Sequence, residues 1–397
     1  MIKRFTAAAV AAAVAVMAMG AGAAYASTAP GTKLATLKVS GVTADYGNAV
    51  AISGTTAVVG EVNTSKAGLG PGKVFVFAKT STGWKHTATL DASDQVAGTE
   101  NSFGASVAVS GSMIVVGAPS DTSPCTFCYT ATTVIGRIYV FVKTATGWRQ
   151  KGEIADPAAV AGKDGFGDTV ATNGTTAYAG APGGAQDPAG AVYAYSRTSS
   201  GSWKNIGTLT AADDGLGFSL SAAGNLLVAG AFAYSVTYTA AYVFTHTSSG
   251  WSRTTLASRA NTIGSSFGFA VSLSWGKSPE IAVGAPTQNG FHGVVCVFSK
   301  TSTGWKQKAV IAHRSPLDEF GKYVAISGKA LAATDTSASA AVYFYARSSS
   351  GWRLVRSVTQ VPGSTTDGFT PVSMSGSFTL SGVEPVVSVG KAYVFES

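Results

Sequence analysis

Residues 103–119 read FGASVAVSGSMIVVGAP, and residues 138–148 read IYVFVKTATGW. Small and apolar residues alternate along both stretches, and glycine-bearing turns at Ser110-Gly111 and Thr146-Gly147 interrupt them. The unit therefore reads as four short strands. It recurs seven times along the chain, at a spacing of roughly 50 residues, which is the mark of a β-propeller blade. A blade is too small to bury both of its faces alone, so each copy has to pack on its neighbours.

The columns of the repeat confirm the period. The aromatic-Gly position runs Tyr46-Gly47, Phe103-Gly104, Phe166-Gly167, Leu216-Gly217, Phe267-Gly268 and Phe320-Gly321, with Gly368-Phe369 as a degenerate seventh. The third strand carries Phe75, Tyr139, Tyr193, Tyr242, Cys296, Tyr343 and Tyr393, each two residues before Phe77, Phe141, Tyr195, Phe244, Phe298, Tyr345 or Phe395. A spacing of two puts both rings on one sheet face, where they serve packing between blades.

Ser53-Gly54, Ser110-Gly111, Asn173-Gly174, Ser327-Gly328 and Ser375-Gly376 supply the positive φ of tight inner hairpins; Gly83, Gly147, Gly250, Gly304 and Gly351 do so one hairpin later. Trp84, Trp148, Trp203, Trp251, Trp305 and Trp352 open the outermost strands, where a large ring covers a blade edge, while Trp275 belongs to an inner turn. The last repeat ends at Phe395 without a fourth strand. Ala35-Thr36-Leu37 repeats the Ala88-Thr89-Leu90 that follows Trp84, so the stretch Leu34 to Val39 is expected to complete the last blade and close the ring, removing the free edges. The expected fold is all-β, a seven-bladed β-propeller of four-stranded blades in one domain.

Phe103-Gly104 with Gly117-Ala118-Pro119, Phe166-Gly167 with Gly180-Ala181-Pro182, and Phe267-Gly268 with Gly284-Ala285-Pro286 resemble FG-GAP repeats, the repeat of the integrin α-subunit propeller and of many bacterial secreted proteins. The resemblance covers the whole mature chain. It implies the propeller fold and partner recognition through the loops of one face; it does not assign an activity. Two blades depart from the motif, with Phe232 in the proline place of the fourth and Thr334-Asp335 in the sixth. Integrin-type blades often carry an Asp-rich calcium loop between strands one and two. Short Ser-Gly turns stand there instead, so neither a metal nor another cofactor is expected.

Lys3 and Arg4 precede an alanine-rich apolar stretch ending at Ala24-Tyr25-Ala26. This is the pattern of a cleaved signal peptide over residues 1–26, with the propeller spanning 27–397. No later stretch has the length of a membrane span. A secreted monomer is expected, free or held at the cell surface, and the Ala-, Thr-, Ser- and Gly-rich composition fits a bacterial source. Cys125 and Cys128 lie in a polar insertion of the second repeat, where an exported protein favours a local disulfide. Cys296 replaces a ring in the buried column and reads as a small hydrophobe.

Catalytic patterns are missing. His86, His246, His292 and His313 fall in different repeats, and no His-Glu-x-x-His or nucleophile elbow occurs. The middle residues of the innermost strands, Ala51, Ala108, Ala171, Ser221, Ser272, Ala325 and Ser373, are expected to line the channel, and such small side chains do no acid–base work. Carboxylate pairs such as Asp213-Asp214 and Asp318-Glu319 are expected to be solvated loop residues. Lys79, Lys143, Arg197, Lys300 and Arg347 precede the outer turn, and Lys85, Arg149, Lys204, Arg253, Lys306 and Arg353 follow it. Such a basic rim guards blade edges against strand addition or holds a polyanion. The net charge of +8 comes without a basic-aromatic platform, so nucleic acid is not expected.

The expected function is that of a secreted, non-catalytic binding or adhesion module for a protein or cell-surface glycan. The alternatives are a carbohydrate-binding lectin or a polysaccharide-active hydrolase or lyase. Loops between strands two and three carry rings that no strand column requires: Phe127 and Tyr129, then Phe232, Tyr234 and Tyr238, then Phe291 beside His292. Rings in loops supply large contact area at low entropic cost. These seven residues are the candidate binding site.

Overall fold

Because side chains alternate sides along a strand, each repeat makes a sheet with a ring-bearing face and a face of small aliphatic residues. In the computed structural model these are seven antiparallel meanders. The structure describes residues 10–11, 29–43, 45–62, 72–94, 102–119, 136–158, 164–183, 189–211, 215–232, 239–258, 264–313, 318–336, 341–359, 371–383 and 390–397. Blades one to six span residues 46–90, 106–155, 169–209, 216–255, 270–312 and 324–359, and the seventh is built from 372–396 with Lys33–Leu37. Innermost strands of consecutive blades touch around the whole ring, the seventh meeting the first.

Closure follows the expected plan. Lys33–Leu37 pairs antiparallel with the final strand, Lys391–Glu396, in a register that sets Thr36 opposite Tyr393 and Leu37 opposite Ala392. Leu37 takes the place that Leu90 holds in blade one and is buried like it, at 2% and 4% exposure. Upstream, the two-residue stretch Val10–Ala11 adds in parallel to the inner strand of blade four at Ser219 and Leu220.

Faces meet in one sense. The rings of a blade point at the blade before it: Phe103, Tyr139 and Phe141 of blade two share a core with Val58, Val74, Val76 and Leu90 of blade one. The same arrangement joins Tyr46, Phe75 and Phe77 of blade one to Leu380, Ala392 and Val394 of blade seven. Within a blade, the aromatic-Gly ring meets the strand-three pair edge-on, as Phe103 meets Tyr139 at 5.3 Å and Phe141 at 6.1 Å between ring centres. The outer tryptophans also reach back one blade. Trp203 donates to the Lys151 carbonyl at 2.8 Å and Trp251 to that of Ile206 at 3.2 Å, and each ring lies over a glycine of that outer strand, Gly152 or Gly207. Trp275 covers the Gly224 turn in the same way.

One expectation needs correcting. The middle residues of the innermost strands, Ala51 through Ser373, are at most 2% exposed and face the next blade, so they do not line an open channel. The serines among them stitch blades together. Ser221 accepts the Leu273 amide at 2.9 Å, Ser272 that of Ile326 at 3.0 Å and Ser373 that of Ile52 at 3.0 Å. A second tier repeats this one turn lower, where Ser274 accepts the Gly328 amide at 2.8 Å and Ser375 the Gly54 amide at 2.8 Å, the last bond crossing the closure. The first-tier bonds satisfy buried amides, and the second-tier bonds hold the hairpin glycines at the rim of the interface.

Candidate functional site

The meander sends its two-to-three and four-to-one connections to one face of the disc, which therefore gathers the candidate loops. Only part of the candidate set falls on it within view. Phe127, Tyr129, Tyr234 and Tyr238, together with Cys125 and Cys128, lie outside the described residues. Phe232, Phe291 and His292 lie within them.

Among the described residues Phe291 is the exposed ring of this face, at 48% exposure. It ends the helical turn Gln288–Phe291, in which Asn289, Gly290 and Phe291 all take positive φ, at 57°, 69° and 69°. Glycine adopts that backbone freely, but a bulky side chain there is a steric outlier costing about 1–3 kcal/mol. The surroundings hold it. Thr287 donates its hydroxyl to the Gly264 carbonyl at 2.6 Å, and the Phe291 and Gly293 amides bond back to the carbonyls of Thr287 at 3.2 Å and Gln288 at 2.9 Å. From blade six the Glu319 amide donates to the Phe291 carbonyl at 2.9 Å, with Glu319 itself at a φ of 49°.

Glu319 continues the network. Its carboxylate accepts Lys322 Nζ at 2.7 Å and the Thr336 hydroxyl at 3.2 Å. Lys322 is 7% exposed, and a charge so buried needs such a partner. The Lys322 ammonium also lies 5.8 Å from the centre of the Phe269 ring. Phe269 packs with Phe218 at 5.0 Å and Phe232 at 5.1 Å, and the last two meet at 4.9 Å. A continuous set of contacts thus runs from Phe232 in blade four to Phe291 and Glu319. Phe232 occupies its buried end, 8% exposed, where the ring serves packing. Phe291 occupies the open end with half-buried His292 beside it.

The carboxylates of this face correct another expectation. Asp318 and Asp335 are 7% and 2% exposed, and Glu319 is ion-paired, so the Asp318-Glu319 pair is not solvated. Asp335 accepts the Tyr343 hydroxyl at 2.7 Å and the Ala341 amide at 2.8 Å. Tyr139, at the same column position in blade two, donates to Asp94 at 2.9 Å. Burial, then the carboxylate, pushes both phenols well above their ordinary range. A phenol held neutral and bonded to a carboxylate ties a loop down. Glu153, paired with Arg137 at 3.1 Å, is raised by burial and by Asp94.

A family model described as FG-GAP repeat matches residues 41–77 and 84–141, which take in blade one apart from its outer turn and blade two as far as Phe141 in its third strand. The matched repeats and the seven-bladed ring fit an integrin α-like FG-GAP propeller. No curated protein matches it in sequence. Among solved structures it is similar to the crystal structure of the Saccharomyces cerevisiae Sqt1, at 14% identity and a TM-score of 0.49, over 93% of this chain and 99% of that one. That likeness carries no argument about ligands.

The two glycines of the FG-GAP motif now have a shared reason. The Gly-Ala-Pro glycine of one blade lies against the carbonyl of the aromatic-Gly glycine in the next, as Gly60 meets Gly104, Gly117 meets Gly167 and, across the closure, Gly382 meets Gly47. In blade six Thr334 stands in the place of this glycine, opposite Val342 as Gly60 stands opposite Val74. The rim cations are engaged locally: Lys143 and Lys300 lie over Trp148 and Trp305 at 6.0 and 5.3 Å, and Arg347 pairs with Glu280. Phe218 and Phe269 are not two-to-three loop residues but follow the motif glycine directly; an aromatic in that place in only two repeats is the signal that marks them. Among the described residues no group of three His, Cys, Asp or Glu can hold a metal ion, and no helix is long and apolar enough to cross a membrane. Cys296 is buried with its thiol raised by burial, the setting of an inert core residue.

Proposed function

We propose that this FG-GAP propeller is a secreted, non-catalytic recognition module that binds a protein or cell-surface glycan through the loop face carrying Phe291. The observation that carries the reading is the backbone of Phe291: a half-exposed ring held at a φ of 69° by bonds from its own turn and from Glu319. Strained conformations persist where surrounding structure enforces them, and they cluster at sites of binding. A ring fixed in advance loses little freedom when a partner covers it. Export rests on the Lys3-Arg4 and Ala24-Tyr25-Ala26 pattern, and the binding role on the exposed, held ring of Phe291.

The test presents immobilised mature protein to a glycan panel and to a surface-protein extract of the producing organism. Saturable retention of one glycan identifies a lectin, and retention of one protein identifies an adhesion or assembly role. In either case Phe291→Ala should weaken retention by about tenfold or more, the loss typical of a central aromatic contact. Turnover of a polysaccharide, abolished by loss of a loop carboxylate, would replace this reading with an enzyme.

A further inference from the structure

Strands one and three of each blade run away from the loop face and strands two and four return to it, so the inner and outer turns lie together on the opposite face of the disc. Every internal segment outside the described residues joins strand ends at the loop face, and residues 1–28 hold no Asp or Glu. The acids of the turn face are therefore read from described residues alone. Its side-chain carboxylates there are Glu280, 6% exposed and paired with Arg347, and half-buried Glu396. Asp91, Asp94, Asp156, Asp164, Asp318 and Asp335 all stand at strand ends of the loop face.

Cations crowd the turn face instead. The basic residues beside the outer turns are exposed, apart from half-buried Lys79, and Lys277 and Lys329 add exposed cations at two inner turns. Among the described residues Lys85, Arg149, Lys204, Lys306 and Arg353 have no carboxylate partner. Guarding a strand edge does not account for one sign throughout. Either charge blocks strand addition, Lys277 and Lys329 stand on turns that are not edges, and like charges gathered on one surface repel. The tips add hydroxyls. Thr80, Thr144 and Thr301 donate to the carbonyls of Gly83, Gly147 and Gly304 at 2.8, 2.8 and 2.7 Å. The exposed hydroxyls of Thr82, Thr146 and Thr303 stand 3.2, 3.3 and 3.3 Å from those first hydroxyls, and each can rotate its proton outward to a ligand.

We propose that the turn face docks on a linear, hydrated polyanion, whose repeating anionic groups meet the cations and hydroxyls of successive outer turns, so that the loop face with Phe291 points away from the polymer. Repetition selects a polymer over a small anion, because contacts that are weak singly become strong once they are linked. The tips select a polymer over a lipid surface. Ser, Thr, Ala and Gly fill the outer turns of blades one to six, which leaves them nothing apolar to insert between acyl chains. A second copy of the chain is excluded by charge, since it brings the same cations to this face. The surface is independent of Phe291 and stands or falls separately.

The test titrates the mature protein with long-chain inorganic polyphosphate, with tripolyphosphate and with vesicles of phosphatidylglycerol. The long chain should bind saturably and weaken at least about a hundredfold between about 50 and about 200 mM salt, since each contact releases counterions. Tripolyphosphate, a single short cluster of charge, should bind at least about tenfold more weakly. The triple variant Lys85→Glu, Arg149→Glu and Lys306→Glu should weaken the long chain by about tenfold or more. Lys38→Glu with Lys73→Glu and Lys391→Glu makes the same change in net charge at exposed positions of the loop face and should leave binding close to the parent. Equal loss in the two triple variants would mean that net charge alone acts, and overturns the proposal. So does long-chain binding no tighter than that of tripolyphosphate, or vesicles held as tightly as the polymer.

Discussion

The α-carbon of Gly117 in blade two lies so close to the carbonyl oxygen of Gly167 in blade three that a methyl group built on it would come within 2.1 Å of that oxygen. The Ser106 hydroxyl donates to the same oxygen at 2.8 Å. The motif glycines thus set how closely consecutive blades approach wherever they stand.

Gly117→Ala is therefore expected to destabilise the protein by about 3 kcal/mol, the upper part of the range for overpacking a close contact. Gly276, whose φ is not positive and which has nothing near a built methyl, provides the control. Gly276→Ala should be neutral or slightly stabilising, by about 0.5 kcal/mol, through its effect on the unfolded chain. Chemical denaturation of both variants checks the pair, and equal stabilities would mean that the blades do not meet at these glycines.

Closure is tested by removing its strand. Without Lys33–Leu37 the final strand loses its partner and the core between blades seven and one loses Leu37. A markedly lower melting temperature or aggregation is expected, since an unpaired edge recruits other chains. A deletion that melted like the parent would show that the ring closes some other way.

The buried tyrosines make stability fall at high pH. Burial pushes Tyr178 and Tyr345 up to about 12 from the ordinary 10.0, and burial raises Tyr46 and Tyr195 too. Above 10 the unfolded chain gives up phenol protons that the folded chain keeps. Stability present below that pH is lost as pH rises towards the folded values, at about 1.4 kcal/mol per pH unit for each such tyrosine. Melting should be flat up to roughly pH 9.5 and drop by pH 11; a flat profile across that interval would contradict the burial of these phenols.

Strand order, turns and the closing segment were legible in the residues because a period of two and a recurring glycine leave few arrangements. Which neighbour a face meets was not. Alternation along Val107-Ala108-Val109 separates two sides without telling that Ala108 faces blade three rather than an open channel. The close approach of Gly117 to Gly167 was also hidden, since a glycine in a strand looks alike whether it serves a bend or a neighbour's backbone. At the candidate site the sequence marked Phe232 and Phe291 equally as loop rings. Their opposite fates depend on Phe218 and Phe269, which enclose the first, and on the left-handed turn through Asn289 and Gly290, which exposes the second. Irregular backbone of that kind has no periodic signal to read.

The most direct measurement of the central claim compares two variants against the captured partner. Phe291→Ala removes the exposed ring, and the triple variant Lys85→Glu, Arg149→Glu and Lys306→Glu reverses the basic rim around the outer turns. Binding to the loop face predicts a loss of about tenfold or more for Phe291→Ala, at an unchanged melting temperature, with the triple variant close to the parent. Full binding by Phe291→Ala together with loss in the triple variant would contradict it and move the site to the rim.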